Sequence, residues 1–465
     1  MRLARTGARI AVALALLLPA AVYAHGVLRK SEPANGATLR AAPRVIRLTF
    51  SETPQLAFTR VELLGPDSQR VALSSLRTAA PDSTRVLVAD IVGPLRAGRY
   101  RILWQITSAD GHPVRGTVGF QIATDATGLA ISPMDSAATA ALPPAPVSSS
   151  NRGEPAGEAP ATFAVDSWQY AMIRLLTFSA IVVVIGAVAF ALIVIPGARH
   201  RLPDLDASFV LEARRRAAYV ALGATAALAV LLVARLVAQS YAVGGTFPDA
   251  DFMIGASRTA WGAGLVLAAA SVLVLAIVLR RTRNAAWTLA AAGATGLALA
   301  TALSGHAAAS GRWTFVAVAS DTVHILAAGG WLGALLLVLV AGVPAAAALP
   351  SLGRGTAVRS MVEVFSPMAL MFAGALGVTG VIAAVLRIGT WSALTGTDYG
   401  RLLLLKIGAL VLVLIMGGYN WRRLRPSLNA ERVGTLRRTA AAELFLGFIV
   451  LVVTAWLVAT PPPGE

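Results

Sequence analysis

Eight long apolar stretches occupy the second part of the chain and limit its fold more than any other feature of the sequence. A helix needs about 20 mainly apolar residues to cross a hydrocarbon core of about 30 Å, and each stretch is long enough. The chain has 465 residues, of which 56% are apolar and 14% charged, as is typical of a largely membrane-embedded protein. We therefore predict an all-α polytopic membrane domain of eight transmembrane helices over residues 167–460. The stretches lie near residues 168–195, 216–238, 260–279, 285–305, 316–343, 361–387, 401–420 and 439–460.

Arginine residues concentrate in alternate loops between these stretches, and this asymmetry predicts how the domain crosses the membrane. Basic loops stay on the cytoplasmic side, so the first stretch should run inward. The N-terminal part and the tail 461–465 should then lie on the outer side of the membrane. The net charge of +17 is explained in this way without a nucleic-acid partner. The inner loops contain Arg199, Arg201, Arg214–Arg216, Arg280, Arg281, Arg283, Arg354, Arg359, Arg422, Arg423, Arg425, Arg432, Arg437 and Arg438.

A secretory signal is predicted at the start of the chain, over residues 1–24. Three arginines precede an apolar run that ends in the small-residue segment V-Y-A, which is typical of a signal cleavage site. Cleavage after Ala24 would make His25 the first residue. An N-terminal histidine offers its α-amine and its imidazole to one metal ion, and copper(II) favours such nitrogen ligands. The alternative is that cleavage leaves a histidine there by chance.

Short runs with a period of two follow, and they predict an N-terminal all-β domain over residues 25–123. Alternating apolar residues separated by turn residues are typical of an antiparallel sandwich of the Ig-like or Greek-key kind, with a barrel as the alternative. Residues 124–166 are rich in Ala, Pro, Ser and Gly and predict a flexible linker. The runs are 45–50, 58–64, 85–91, 100–107 and 114–122.

The segment S-A-D-G-H-P at residues 108–113 places two metal-ligand types close together. In an extended segment Asp110 and His112 project to the same side and could bind one metal. Asp-Gly is also a common hairpin turn, which is the structural alternative. Because the chain has no cysteine, disulfides and thiolate sites are excluded, and His, Met, Asp and Glu remain as ligands.

A few polar residues within the apolar stretches form a second candidate site. His306 ends the fourth stretch, and Asp321 and His324 share one face of the fifth. Ionisable residues at membrane depth are costly, and a functional role is the first hypothesis for them. We therefore predict that these three residues form a membrane copper path. A hydrogen bond that only supports helix packing is the alternative.

Three methionines lie near one stripe of the sixth stretch and are weaker candidates. Met361, Met368 and Met371 carry thioethers, which favour copper(I). Methionine at helical spacing is more often a packing residue, so packing is the main alternative for all three.

Three ordered segments cover most of residues 25–122: H-G-V-L-R-K-S-E-P-A-N-G-A-T-L, P-R-V-I-R-L-T-F-S-E and G-R-Y-R-I-L-W-Q-I-T-S-A-D-G-H-P-V-R-G-T-V-G-F. This pattern resembles the CopC family of periplasmic copper-binding proteins. The resemblance implies a copper(II) site made by His25, Asp110 and His112, with Glu52 near the site in some members. Some relatives also have a Met-rich copper(I) loop, whereas this chain has no methionine from His25 to Pro133, so a second site is not expected in this domain.

Shorter motifs cover the helical part: S-G-H-A, D-x-x-H-I-L-A-A-G-G-W-L-G, V-F-S, and Y-G-R-L-L-L-L-K followed by G-Y-N-W-R. Over residues 168–460 the chain resembles the CopD family of copper-resistance and copper-uptake membrane proteins. The last motif departs from the N-R pattern of that family. The resemblance implies that the membrane domain handles copper(I) or copper(II).

These observations predict a copper transport protein and no enzyme. The sandwich would capture copper(II), and the helical domain would pass copper inward across the inner membrane, in copper homeostasis and resistance. The chain has only two lysines, Lys30 and Lys406, and no P-loop, so an ATP-driven pump is not expected. The alternatives are a copper oxidoreductase, a membrane haem protein with His306 and His324 as axial ligands, and a copper sensor or buffer. Copper ion, the lipid bilayer and other periplasmic copper carriers are the expected partners.

Overall fold

A pair of β-sheets precedes a long series of helices in the computed structural model of the chain. His25, Glu52, Asp110, His112, the signal 1–24, the linker 124–166 and the tail 461–465 lie outside the described residues. The structure describes residues 28–51, 53–80, 83–107, 113–123, 167–203, 206–281, 284–388, 390–424 and 433–460.

Nine strands form the two sheets. The order is β1-β3-β7-β6 in the first sheet and β2-β9-β8-β4-β5 in the second, and all pairs are antiparallel except β2 with β9. The strands are β1 Leu28–Glu32, β2 Ala37–Leu39, β3 Val45–Phe50, β4 Arg60–Leu64, β5 Arg70–Val71, β6 Arg77–Thr78, β7 Val86–Asp90, β8 Gly98–Thr107 and β9 Pro113–Ile122.

The sheets pack face to face around one apolar core, as the period-two pattern predicts. Alternate residues of β3 and β8 are buried, and Phe50 meets Trp104 edge to face with ring centroids 5.3 Å apart. Each fully buried large apolar side chain stabilises the fold by about 1.5–3 kcal/mol. Two separate sheets identify a sandwich, so the barrel alternative is wrong. The run predicted as a strand from residue 58 differs at its start, because Leu56–Phe58 is a 3₁₀ turn and the strand begins at Arg60.

Eight helices in the described part of the chain are long and apolar enough to cross a membrane, which confirms the predicted fold class. Ser167, Asp206, Thr259 and Thr397 accept backbone N–H groups at helix starts, which satisfies donors that a helix leaves unpaired. The helices are α1 Trp168–Arg201, α2 Ala207–Gly244, α3 Ala250–Ser257, α4 Ala260–Val278, α5 Asn284–Leu303, α6 Thr314–Ala347, α7 Ser351–Ile388, α8 Trp391–Gly396, α9 Asp398–Tyr419 and α10 Val433–Leu457.

Two helices contain π-helical turns at the centre of the domain. Phe190–Val194 interrupts α1, and Gly329–Gly333 interrupts α6. Beside them Gly186 and Gly333 let the backbones of α1 and α6 touch, because a Cβ on either glycine would overlap main-chain atoms of the other helix. This contact is closer than two helices with side chains can achieve.

The sandwich contacts the helical domain where α2 ends. Gln105 on β8 donates from Nε2 to the Val243 carbonyl at 2.8 Å, and Arg115 on β9 donates to the Ala242 carbonyl at 3.5 Å. Phe58 also packs on Phe252 of α3, with ring centroids 5.5 Å apart. We call this end of the helical domain the sandwich side. The start of α4 lies there too, because its Trp261 packs on Phe252, and the end of α5 lies beside it, because Ser304 contacts the Trp261 carbonyl. The start of α6 follows α5 after a short connection, and Asp321 of α6 pairs with Arg387 at the end of α7.

Candidate functional site

His324 of α6 is held by a buried hydroxyl on α7. Its Nδ1 lies 2.8 Å from Thr379 Oγ1, and the Thr379 hydroxyl itself lies 2.7 Å from the Ala375 carbonyl. A hydroxyl has one proton, which this carbonyl accepts, so Thr379 accepts the Nδ1–H of His324. Nε2 then carries the free lone pair. Metal-binding histidines are commonly fixed in this way through the ring nitrogen that does not bind the metal.

Asp321, one turn before His324, pairs with an arginine that the sequence analysis did not select. Arg387 Nη2 lies 2.8 Å from Asp321 Oδ2, and the two side chains are 21% and 26% exposed. Lys406 of α9 is close enough to act electrostatically on this pair, and Tyr399 lies beside Arg387. The carboxylate is therefore used in an ion pair between α6 and α7, with a second cation nearby. Lys406 therefore belongs to this group.

His306 lies in a short 3₁₀ turn, His306–Ala309, between α5 and α6, and is buried with 8% exposure. Ser304, just before this turn, forms hydrogen bonds with residues of α4 and α2. Ser304 Oγ lies 3.5 Å from the Trp261 carbonyl, and Arg235 donates to the Ser304 carbonyl at 3.3 Å. Trp261 in turn packs against Phe252, which contacts the sandwich. A continuous set of contacts therefore joins the sandwich to the neighbourhood of His306.

The three methionines of α7 do not share one environment. Met361 is 0% exposed and Met368 6%, whereas Met371 is 62% exposed. Met361 packs in the apolar core against Gly342 and Phe190. Two of the three side chains thus fill the helix core and the third points away from it, which fits the packing interpretation better than a row of thioether ligands.

No group of three or more His, Asp or Glu side chains that could hold a metal ion occurs within the described ranges. His306, Asp321 and His324 lie on the same side of the domain, but they do not form one closed three-ligand site in this structure. Separate imidazoles hold an ion more weakly than a complete site does. Weak sites suit an ion that has to leave again, because conduction requires that no site hold it too firmly.

The predicted copper(II) ligands Asp110 and His112 lie outside the described residues, but the strands on both sides of them are described. Thr107 and Pro113 pair at the end of the β8–β9 hairpin. Gln105 and Arg115, two residues further back on each strand, carry the hydrogen bonds to α2. The Thr107–Pro113 end of the described strand pair is therefore the end that contacts the helical domain.

One buried acid was missed by the sequence analysis. Glu443 of α10 is 4% exposed and accepts hydrogen bonds from Trp331 Nε1 at 3.2 Å and from Asn420 Nδ2 at 3.1 Å. The signal was available, since Glu443 is an acid inside a predicted span, and its donors belong to the motifs H-I-L-A-A-G-G-W and G-Y-N-W-R.

Comparison with known protein families matches three parts of the chain. Residues 28–123 match the CopC domain, residues 165–316 match the N-terminal domain of copper resistance protein D-like proteins, and residues 359–457 match copper resistance protein D. The matches cover both the sandwich and the helical domain.

Individual proteins that the chain resembles have names that refer to copper. The chain is 27% identical over 463 residues to the copper transport protein CutJ of Bacillus subtilis, covering 97% of this chain and 76% of that protein. It is 32% identical over 127 residues to copper resistance protein C of Pseudomonas syringae pv. tomato, covering 26% of this chain and 99% of that protein. Among solved structures, PcoC of Escherichia coli is 33% identical, with 21% of this chain and 99% of that chain covered and a TM-score of 0.19.

Proposed function

Because the chain belongs to the copper resistance protein C family in its sandwich and to the copper resistance protein D family in its helical domain, we propose that it carries copper inward across the bacterial inner membrane. The sandwich captures copper(II) on the periplasmic side, and the helical domain passes the ion on. Copper is the cargo in this proposal, and no step of substrate chemistry is needed.

The copper(II) site consists of the amine and imidazole of His25 together with Asp110 and His112, and Glu52 lies close to it. Two nitrogen donors on one residue close a chelate ring, and two further ligands complete the tetragonal arrangement that copper(II) favours. The match of the sandwich to copper resistance protein C supports copper as the ion that this domain binds.

The contact between the hairpin and α2 is the observation that carries the proposal. The hydrogen bonds of Gln105 and Arg115 hold the strands next to residues 108–112 against the sandwich side of the helical domain. An ion released there meets the membrane domain at once and does not first diffuse into bulk solvent. These contacts favour delivery from a docked sandwich.

His306 and His324 are the first membrane stations in this proposal. His306 is reached through the contacts of Phe252 and Trp261, and His324 presents a lone pair on Nε2 because Thr379 holds its Nδ1–H. Asp321 contributes through its ion pair with Arg387, which fixes α6 against α7. Met361, Met368 and Met371 are not required for the path.

Uptake of labelled copper into sealed vesicles tests this path. We expect His324→Ala to abolish copper accumulation while the copper(II) spectrum of the sandwich stays unchanged, because only the membrane station is lost. His200→Ala is the matched control, since His200 is an exposed residue at the end of α1 and far from the path in sequence. Accumulation by His324→Ala at the wild-type rate would show that the entrance lies on other residues.

The orientation of the chain has its own test. Eight crossings return the C-terminus to the side of the sandwich, so a reporter fused after Glu465 should be active only in the periplasm. A reporter fused after Arg425, between α9 and α10, is the matched control and should be active only in the cytoplasm. A C-terminal reporter with cytoplasmic activity would contradict the number of crossings.

The oxidoreductase and haem alternatives predict a different spectrum. A visible spectrum of the purified protein with haem bands would favour the haem alternative. Copper-dependent oxygen consumption would favour the oxidoreductase. The transport proposal expects neither signal.

A further inference from the structure

Glu443 lies within the helical domain, on the half away from the sandwich side. Its carboxyl group accepts hydrogen bonds from two other helical segments. The donors are Trp331 of the π-helical turn in α6 and Asn420 at the end of α9. Trp331 is seven residues after His324, which is about 10 Å further along the helix. Glu443 therefore lies beyond His324 for an ion that enters from the sandwich side.

The groups that bind this carboxyl are neutral. Trp331 and Asn420 each donate one N–H, one to each carboxyl oxygen, and no described Lys, Arg or His forms an ion pair with Glu443. A carboxylate buried without a cation costs free energy, and uptake of a proton removes this cost. The elements around Glu443 are α1, α6, α9, the turn Asn420–Leu424 and α10. Their described ionisable and charged side chains are Tyr170, Arg174, Arg199, His200, Arg201, Asp321, His324, Asp398, Tyr399, Arg401, Lys406, Tyr419, Arg422, Arg437 and Arg438.

The amide of Asn420 can serve both protonation states of the acid. With the carboxylate, Asn420 Nδ2 donates to Oε2 at 3.1 Å, as in this structure. Asn420 Oδ1 is buried, and no donor reaches it in the part of the chain that is described. If the amide turns by half a rotation, Oδ1 faces the carboxyl and can accept the O–H of the protonated acid. One side chain thus offers a partner to the acid with and without its proton.

We propose that Glu443 binds and releases one proton in each transport cycle and so couples copper movement to proton movement. This role rests on the proposed function, in that the helical domain moves copper. Copper itself is a poorer occupant, because no group of three metal-binding side chains includes Glu443 within the described residues and both carboxyl oxygens already accept hydrogen bonds. A proton needs only the single carboxyl group.

The step balances without a redox partner. A proton from water on one side of the membrane forms an O–H bond with Oε2 of the carboxylate, and the acid becomes neutral. When the conformation changes, the O–H bond breaks and the proton passes to water on the other side. The proton gradient of the membrane supplies the free energy that the chain, lacking a P-loop, does not take from ATP.

Copper uptake into liposomes containing the purified full-length protein, with and without an imposed pH gradient, tests the coupling. We expect the gradient to change the uptake rate of the wild type, and Glu443→Gln to lose this response while labelled copper still exchanges without a gradient. Glu363→Gln is the matched control, because Glu363 is an acid of α7 that, unlike Glu443, forms ion pairs with Arg201 and Arg359. Glu443→Asp keeps a carboxyl group and should keep part of the response.

Infrared difference spectra between high and low pH give a second measurement that does not depend on transport. A buried protonated carboxyl gives a C=O band at a different frequency from solvent-exposed acids. This separate band should appear in the wild type and in Glu363→Gln and be absent from Glu443→Gln. The proposal is overturned if Glu443→Gln keeps the gradient response or if its infrared spectrum equals that of the wild type. Wild-type liposomes that take up no copper would contradict the proposed transport function instead, and the infrared band would still decide whether Glu443 takes up a proton.

Discussion

Replacing His112 by alanine, or leaving one extra residue before His25, should lower the affinity of the protein for copper(II) by more than about 100-fold. Loss of a group that only orients a metal ligand costs about 10–100-fold in affinity, and each of these changes removes a ligand itself. The extra residue converts the α-amine of His25 into an amide, which no longer offers a free amine. Competition titration with a copper(II) chelator and the copper(II) electron paramagnetic resonance spectrum would measure the loss.

The same site should weaken at low pH. An α-amine has an ordinary pKa of about 7.7–8.0 and has to lose its proton to bind copper, so affinity should fall as pH is lowered through and below this range. His200→Ala is the control and should bind copper(II) like the wild type. An intact mass that retains Met1, or an unchanged spectrum in His112→Ala, would contradict the site.

Breaking the ion pair between α6 and α7 should destabilise the helical domain by more than about 1 kcal/mol, the upper value for exposed pairs, because its two side chains are only 21% and 26% exposed. Asp321→Asn should cost more than Arg387→Gln. The first variant leaves Arg387 beside Lys406 with no anion between them, whereas the second leaves Asp321 with Lys406 nearby. Thermal unfolding in detergent would measure both.

The double variant with Asp321→Asn and Arg387→Gln tests whether the stability comes from the interaction between the two charges or from separate contacts of each side chain. It removes both charges of the pair, and with them the repulsion between Arg387 and Lys406, so it should recover part of the stability lost in Asp321→Asn. Arg359→Gln is a suitable control, since Arg359 pairs with Glu363 at an exposed position where ion pairs contribute little. If the double variant is as unstable as the sum of the single variants, the ion pair does not hold the two helices together.

The fold class was predictable because the longer strands and the spanning helices have a local period in the sequence. The alternation at Ile46, Leu48 and Phe50 predicts one buried face of a strand, and the structure places these side chains in the core. The long apolar stretches predict the spanning helices in the same way. The turn at Leu56–Phe58 was missed because its apolar residues continue the strand pattern although the backbone does not.

The partners of the polar residues were not predictable from local spacing. Asp321 and His324 share a helix face, and spacing alone suggests one joint site. In the structure α7 packs on α6 so that Asp321 pairs with Arg387 and His324 hydrogen-bonds with Thr379. These partners lie 66 and 55 positions further along the chain. Long-range pairs of this kind depend on how the helices pack, and hydrophobic periodicity contains no information about it.

The glycine contact between α1 and α6 limits how the domain could move. Transporters commonly expose a site to each side in turn by rocking one group of helices against another. Gly186 and Gly333 place main chain on main chain, so a shift between these two helices would open a gap that no side chain fills. We therefore expect α1 and α6 to travel as one rigid body that carries His324 with it, and any rocking to take place against the helices outside this pair.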